Sequence, residues 1–319
     1  MKFRPKLYLF TILFAGLGWL SSCDDIIEPS ISKSIVQAEA PVDQYISSNY
    51  TINFWWDPVD HALTYHLQVV TPSFSAPGGL VLDTVVSANK FTFNLNPGNY
   101  QWRVMAENGS SQTAFSAPRS FTVALSSIKT QSVQLTAPAN NLVTNQSSLT
   151  FQWSRLYGAT QYRFEIDTNN FANESAVVLN QAYAGQQINF TFPKDQVYQW
   201  RVRAENDTAQ SQWSAINNVT YDHTPPAPVS LVAPTKGQTV SLQALLQWST
   251  SVSAVKYKVY VFQSDSTTLY DQNFPVQVNT NNYSFSLGNS GDKVYWKVTA
   301  LDAAGNESQA SVLSNFVLQ

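Results

Sequence analysis

The chain has 319 residues, a formal net charge of −3, 44% hydrophobic and only 12% charged residues, one cysteine and three histidines. That balance leaves no basic footprint for nucleic acid and no polybasic patch for anionic lipid, and a single thiol rules out a disulfide within the chain. Stability must come from packed cores, for which nine Trp, 15 Tyr and 18 Phe are available.

Residues 1–22 read as an export signal. Lys2, Arg4 and Lys6 supply its positive region, Leu7 to Leu20 its apolar stretch, and Leu20-Ser21-Ser22-Cys23 its end. The apolar run is short of the ~20 residues that span a bilayer. The lone cysteine resembles the lipobox of bacterial lipoproteins, which implies cleavage before Cys23 and lipid attached to it; the alternative is an ordinary secretory signal. Asp24 and Asp25 resemble the acidic export signal of Bacteroidetes-type surface lipoproteins, whereas in enteric bacteria aspartate there implies retention in the inner membrane. Residues 23–34 form a polar tether without pattern. The expected location is the cell envelope, lipid-anchored, at an outer membrane and exposed on its surface.

The remaining chain repeats itself. Tyr100-Gln-Trp-Arg-Val-Met-Ala-Glu-Asn108 returns as Tyr198-Gln-Trp-Arg-Val-Arg-Ala-Glu-Asn206 and, more loosely, as Val294-Tyr-Trp-Lys-Val-Thr-Ala-Leu-Asp302. Trp56, Trp153 and Trp248 keep the same step, as do Tyr65, Tyr162 and Tyr257. A period of roughly 96 residues suits a complete small domain rather than a solenoid unit. Domains are therefore placed at 35–125, 131–222 and 227–319. The linkers are Ser126 to Thr130 and the proline-rich His223 to Pro228, short enough that each domain is expected to unfold alone.

Within each repeat apolar residues alternate with period two, which predicts strands. Ile52, Phe54 and Trp56 share a face; so do Tyr162, Phe164 and Ile166, and Tyr257, Val259 and Val261. Short strands in units of this size read as two-sheet sandwiches. The fold class is all-β, three tandem immunoglobulin-like sandwiches. A tryptophan on the second strand, a tyrosine on the third and Tyr-x-x-Arg-Val-x-Ala-x-Asn on the sixth resemble the fibronectin type III domain. The resemblance implies that the third and sixth strands are neighbours, and that Tyr100 and Tyr198 each bond through the phenol to backbone. Val294 stands at the third copy of that tyrosine, so domain three is expected to lack the bond and to be the least stable.

Signatures for catalysis and metal binding are missing: no HExxH, CxxC or G-x-S-x-G. Asp57, Asp60, His61 and His66 are the densest polar cluster, without metal spacing, and read as a solvated turn. No cofactor and no catalytic residue is assigned. Outward aromatics are the candidate ligand-binding set: Tyr260, Phe262, Tyr295 and Trp55. The equivalent face is polar in domain one (His66, Gln68, Gln101, Arg103). In domain two Arg163, Glu165, Arg201 and Arg203 read as a solvated ion-pair ladder. Such aromatics stack on sugars, bury against a partner, or seal a domain junction. The expected function is a non-catalytic, lipid-anchored envelope protein presenting three sandwiches to a protein or glycan. The alternatives are glycan capture beside a polysaccharide-uptake system, similar to Bacteroidetes starch-binding lipoproteins, and a β-sandwich hydrolase.

Overall fold

The computed structural model describes residues 28–319. The signal segment, Cys23, Asp24 and Asp25 lie outside the described residues. By Cα packing the described residues divide into two compact units, 28–40 with Trp55–Phe91 and Gln101–Arg119, and Pro41–Phe54 with Thr92–Tyr100 and Ser120–Gln319. No helix among the described residues is long and apolar enough to cross a membrane.

Eight strands recur three times, each time as a three-stranded and a five-stranded sheet. In the first repeat the small sheet is Ala38–Ala40, Thr51–Trp56, Lys90–Asn94, in spatial order. The large one is Tyr45–Ser47, Arg119–Val123, Gly98–Glu107, Thr64–Pro72, Pro77–Val86. In the second repeat the small sheet is Leu135–Ala137, Ser148–Trp153, Gln187–Thr191. The large sheet is Leu142–Thr144, Asn217–Tyr221, Gln196–Glu205, Gln161–Asp167, Leu179–Tyr183. In the third they are Leu231–Ala233, Ala244–Trp248, Asn282–Phe285, and Gln238–Val240, Ser314–Leu318, Lys293–Leu301, Lys256–Phe262, Val276–Val278. The second strand of each repeat departs from the expected pattern. Tyr45–Ser47, Leu142–Thr144 and Gln238–Val240 each pair in parallel with the last strand of their repeat. Three residues are too few for alternation to reveal.

Alternation otherwise decides the core, because successive side chains on a strand point to opposite faces. Trp56, Trp102, Trp153, Trp200, Trp248 and Trp296 are all buried. In the second repeat Phe151 meets Trp200 edge-on at 5.0 Å, and Phe164 stacks on Trp153 at 6.1 Å. In the third, Val259 and Val261 pack with Trp296, Val298 and Phe316 in one cluster.

The incoming chain is not loose. Where residues 23–34 were expected to be a plain tether, the stretch from Glu28 onward is docked. The Gly109 and Ser110 groups donate to Glu28 (N to Oε2, 2.6 Å; Oγ to the carbonyl, 2.8 Å), Asn108 Nδ2 donates to the Pro29 carbonyl, and Ile31 is buried. The next repeats hold their own incoming segments at or just beyond the equivalent turn. Gln212 Nε2 donates to the Lys129 carbonyl and Asn306 Nδ2 to the Asp222 carbonyl.

The first linker also departs from expectation. The Tyr50 amide donates to Gln131 Oε1 at 2.8 Å, Tyr50 Oη donates to the Ser126 carbonyl at 2.9 Å, and Gln131 Nε2 donates to the Ser48 carbonyl at 2.8 Å. Tyr50 meets Tyr157 edge-on at 6.0 Å. Gln131 is buried, so its amide is a shared part of both repeats rather than a spacer. Gln131→Ala should orphan the buried Tyr50 amide and cost about 1–3 kcal/mol. The expected readout is a lower denaturant midpoint together with separation of the unfolding of residues 35–125 from that of 131–222. An unchanged transition would mean that this junction carries no coupling.

Candidate functional site

The outer face of each five-stranded sheet centres on a cation from the strand that carries the repeated motif: Arg103, Arg201 and Lys297. Its neighbours on both sides are strands, so the cation has no edge to escape over and must be satisfied in place. The three repeats do this differently.

In the first repeat the Arg103 guanidinium lies 4.2 Å from the Phe74 ring centre and 4.1 Å from that of Phe115, and donates to Gln68 Oε1 at 2.8 and 3.0 Å. His66 pairs with Asp83 beside it. In the second, Arg201 sits 4.1 Å from both Phe171 and Trp213, and Arg203 4.7 Å from Trp213. Arg201 also pairs with Glu165 at 2.8 Å and Glu174 at 3.0 Å, while Arg163 and Arg203 converge on Glu205 at 2.8 and 2.9 Å. Glu165 and Glu205 are buried. The expected solvated ladder is therefore a covered one, sealed by aromatic rings from loops. Nor is domain three alone in carrying aromatics on this face, as the strand pattern had suggested.

Two local devices deliver those rings. The first is a glutamine on the motif strand. Gln101 Oε1 accepts the Phe74 amide at 2.9 Å, and Gln199 Oε1 accepts the Asn170 amide at 3.2 Å, which pins the loop that follows the neighbouring strand. Asp167 Oδ2 adds a bond from the Phe171 amide at 2.7 Å. The second is a hydroxyl pair on the returning chain. The amides of Ala106 and Val104 donate to Thr113 Oγ1 and Ser116 Oγ, those of Ala204 and Val202 to Ser211 and Ser214, and those of Ala300 and Val298 to Ser308 and Ser311. A step of two residues on the motif strand thus faces a step of three on the returning chain, a bulge that leaves two residues between the hydroxyls and turns the second of them outward. That residue is Phe115, Trp213 or Ala310.

The third repeat changes both devices. Tyr295 replaces the glutamine and Ala310 replaces the covering ring. Lys297 instead lies 5.3 Å from Tyr260 and 5.5 Å from Phe262, and Lys293 lies 5.0 Å from Tyr295. Tyr260 stands opposite Lys297 and Phe262 opposite Tyr295, which confirms the expected pairing of these strands. Tyr260 and Tyr295 are partly exposed on one face. Phe262 is a correction: it points to the predicted face but is only 8% exposed, because its ring stacks at 6.4 Å on Tyr260 and its backbone is bridged to Leu269. Trp55 is 45% exposed, but it stands on the small sheet of the first repeat, apart from this constellation.

Electrostatics on the third face centre on Glu307. Lys258 Nζ donates to it at 2.6 Å, Thr299 Oγ1 at 2.6 Å and Tyr260 Oη at 3.3 Å. Burial and the Glu307 charge push the Tyr260 phenol up. Burial works to raise Glu307, but the bonds from Lys258 and Thr299 outweigh it and hold the carboxylate below its ordinary value.

The tyrosine motif also behaves as the resemblance implies. Tyr100 Oη donates to the Asn96 carbonyl at 2.8 Å and Tyr198 Oη to the Lys194 carbonyl at 2.9 Å. Val294 has no such bond to give, yet a different phenol serves the equivalent turn. Tyr270 Oη donates to Asp292 Oδ2 at 2.8 Å, and the same oxygen accepts the Asn289 amide. Burial, then the Asp292 bond, raise the Tyr270 phenol to about 12. Gly288, at φ +97°, makes room: a Cβ there would meet Tyr270 Oη at 2.5 Å. The reason for expecting domain three to be weakest is thus offset.

Among the described residues no group of three or more His, Cys, Asp or Glu is placed to hold a metal. Asp57, Asp60 and His61 are exposed turn residues, as the sequence suggested, but His66 of the same cluster is no turn residue: it stands half-buried on the strand Thr64–Pro72, paired with Asp83. No protein-family model matches the chain, and no curated protein matches it. Solved structures do. The FN1–FN3 domains of chicken CNTN1 are 15% identical, with a TM-score of 0.39 over 89% of this chain and 97% of that one. Fibronectin(III)-like modules of Clostridium thermocellum CbhA are 11% identical, with a TM-score of 0.38 over 59% of this chain and 94% of that one.

The covered ladder of the second repeat has a pH signature. Burial tends to raise Glu205, but hydrogen bonds and charge from Arg163 and Arg203 carry it below 4.5. A carboxylate depressed on folding stabilises above its unfolded value, and that contribution disappears as pH falls through the folded value. Glu205→Gln should therefore cost about 1–3 kcal/mol at pH 7, with the deficit shrinking under acid. Denaturant midpoints of both proteins at neutral and acid pH check this; a deficit independent of pH would assign the loss to packing.

Proposed function

We propose that the chain is a non-catalytic, lipid-anchored protein of the cell envelope that presents three β-sandwiches and binds its ligand on the outer sheet face of the third. One observation carries the reading. In the first two repeats a loop aromatic closes over the central arginine, whereas Ala310 leaves the third face without that cover, and partly exposed Tyr260 and Tyr295 stand where the other repeats place Gln68 or Glu165 and Gln101 or Gln199. Exposed rings grouped on a rigid sheet suit stacking on a sugar or burial against a protein.

Within this reading, glycan capture would use the partly exposed Tyr260 and Tyr295 rings, since Phe262 is buried beside Tyr260. A hydrolase has no assigned residues to support it. The anchor would be lipid on Cys23, with Asp24 and Asp25 directing export to the surface. Only four residues lie between Cys23 and docked Glu28, a reach of ~17 Å, so the first sandwich would be held close to the bilayer and the third farthest along the chain.

Two measurements test this. Cys23→Ala should move the protein from the detergent phase to the soluble fraction, and undiminished membrane retention would overturn the anchor. Tyr260→Ala with Tyr295→Ala should abolish binding on a glycan array or to native membrane extracts while circular dichroism and thermal unfolding remain those of a folded protein. Unaltered binding would overturn the assignment of the face.

A further inference from the structure

Charge on the third face is not paired as it is in the second repeat. The outward positions of Lys256–Phe262 and Lys293–Leu301 carry four lysines, Lys256, Lys258, Lys293 and Lys297, and Glu307 is the carboxylate that joins them there. Lys258 is paired with it; among the described residues no ion pair engages Lys256, Lys293 or Lys297. In the second repeat the three arginines meet Glu165, Glu174 and Glu205 instead. The excess is therefore local, on a chain whose formal net charge is −3.

We propose that this face binds an acidic glycan, with its carboxylate or sulfate groups at Lys293 and Lys297 and its sugar rings against Tyr295 and Tyr260. The inference rests on the binding role of this face and narrows its ligand. Outward positions on a strand recur every ~7 Å, so the backbone positions of Lys293 and Lys297 stand ~13 Å apart with Tyr295 as the outward position between them. Lys297 is flanked by the Tyr260 and Phe262 rings and opposes Tyr260 across the strand pair. Charges alternating with flat rings match a polymer in which anionic groups alternate with sugar faces. Lysine also suits the task, since a flexible ammonium can leave its ring for an anion more readily than a guanidinium clamped between two rings.

The test uses the mature full-length chain against four polymers: polygalacturonate, dextran sulfate, neutral dextran and poly-L-glutamate. Binding is measured by calorimetry at low and high salt. Tight binding to polygalacturonate or dextran sulfate over dextran is expected, weakening with salt. Lys293→Gln with Lys297→Gln should lower that affinity by about tenfold or more, about 1.4 kcal/mol, and flatten the salt dependence; Tyr260→Ala with Tyr295→Ala should also lower it. Equal binding of dextran, unaffected by the lysine changes, would overturn the acidic preference and leave the face a glycan site. Poly-L-glutamate bound as tightly as the acidic glycans would overturn the glycan. Binding to none of the four would overturn this inference, while loss of native-extract binding in the tyrosine variant would still support the face.

Discussion

A cation placed outward in the middle of a five-stranded sheet is the constraint on which the rest of these faces depends. The motif strand buries Trp, Val and Ala on one side, so Arg103, Arg201 or Lys297 must project from the other, with strands left and right of it. Water reaches such a group from one direction only. Rings at about 4 Å from Arg103 and Arg201 supply attraction of ~0.5–2 kcal/mol each, and carboxylates supply the rest in the second repeat. Removing a buried partner there leaves the other charge uncompensated, which is the costly case. The loops that bring in Phe74, Phe115, Phe171 and Trp213 are therefore shaped by the cation beneath them.

The third repeat exchanges several of these parts together. Lysine replaces arginine, tyrosine replaces the loop-pinning glutamine, alanine replaces the covering ring, and Tyr260 replaces Gln68 or Glu165. Each change alone would leave a defect: an uncovered guanidinium, an unpinned loop, or an unpaired carboxylate. Made together they convert a sealed face into one whose rings sit on the strands themselves and on which, among the described residues, only Lys258 of the four lysines has an ion pair. The same economy is visible at the turn near Gly288, where loss of the motif tyrosine at Val294 is met by Tyr270 reaching in from the neighbouring connection and by a glycine that admits it.

Period-two alternation made the cores legible in the sequence, and the six buried tryptophans and the facing of Tyr260 and Tyr295 followed from it. What alternation cannot see is anything delivered by irregular backbone. Phe74 and Phe171 lie in a loop, and Phe115 and Trp213 lie in a bulge, so the first two faces read as polar when they are roofed with rings. Phe262 shows the converse: direction was correct, but exposure depends on what neighbours it, and stacking on Tyr260 buries it. A signal for the bulge was present in the repeated hydroxyl pairs Thr113/Ser116, Ser211/Ser214 and Ser308/Ser311. Its meaning needs the backbone, because a serine accepting from a strand amide is indistinguishable in sequence from a serine in a solvated loop.

Those hydroxyl pairs also bear on how the repeats are joined. A hydroxyl that accepts the amide two residues back along the motif strand frees the returning chain to bulge, and the turn it belongs to keeps unspent polar groups at its tip. Asn108 and Asn306 in that turn, and Gln212 beside Ser211 on the returning chain, donate to carbonyls of the chain arriving from the preceding segment. One local arrangement thus sets both the outer face and the entry of each sandwich. A change such as Ala310, confined to one of the two residues between the hydroxyls, opens the face without disturbing the entry, because Ser308 and Ser311 still bond the strand and Asn306 still holds Asp222. That separation lets a repeat acquire a ligand surface while its place in the series stays fixed.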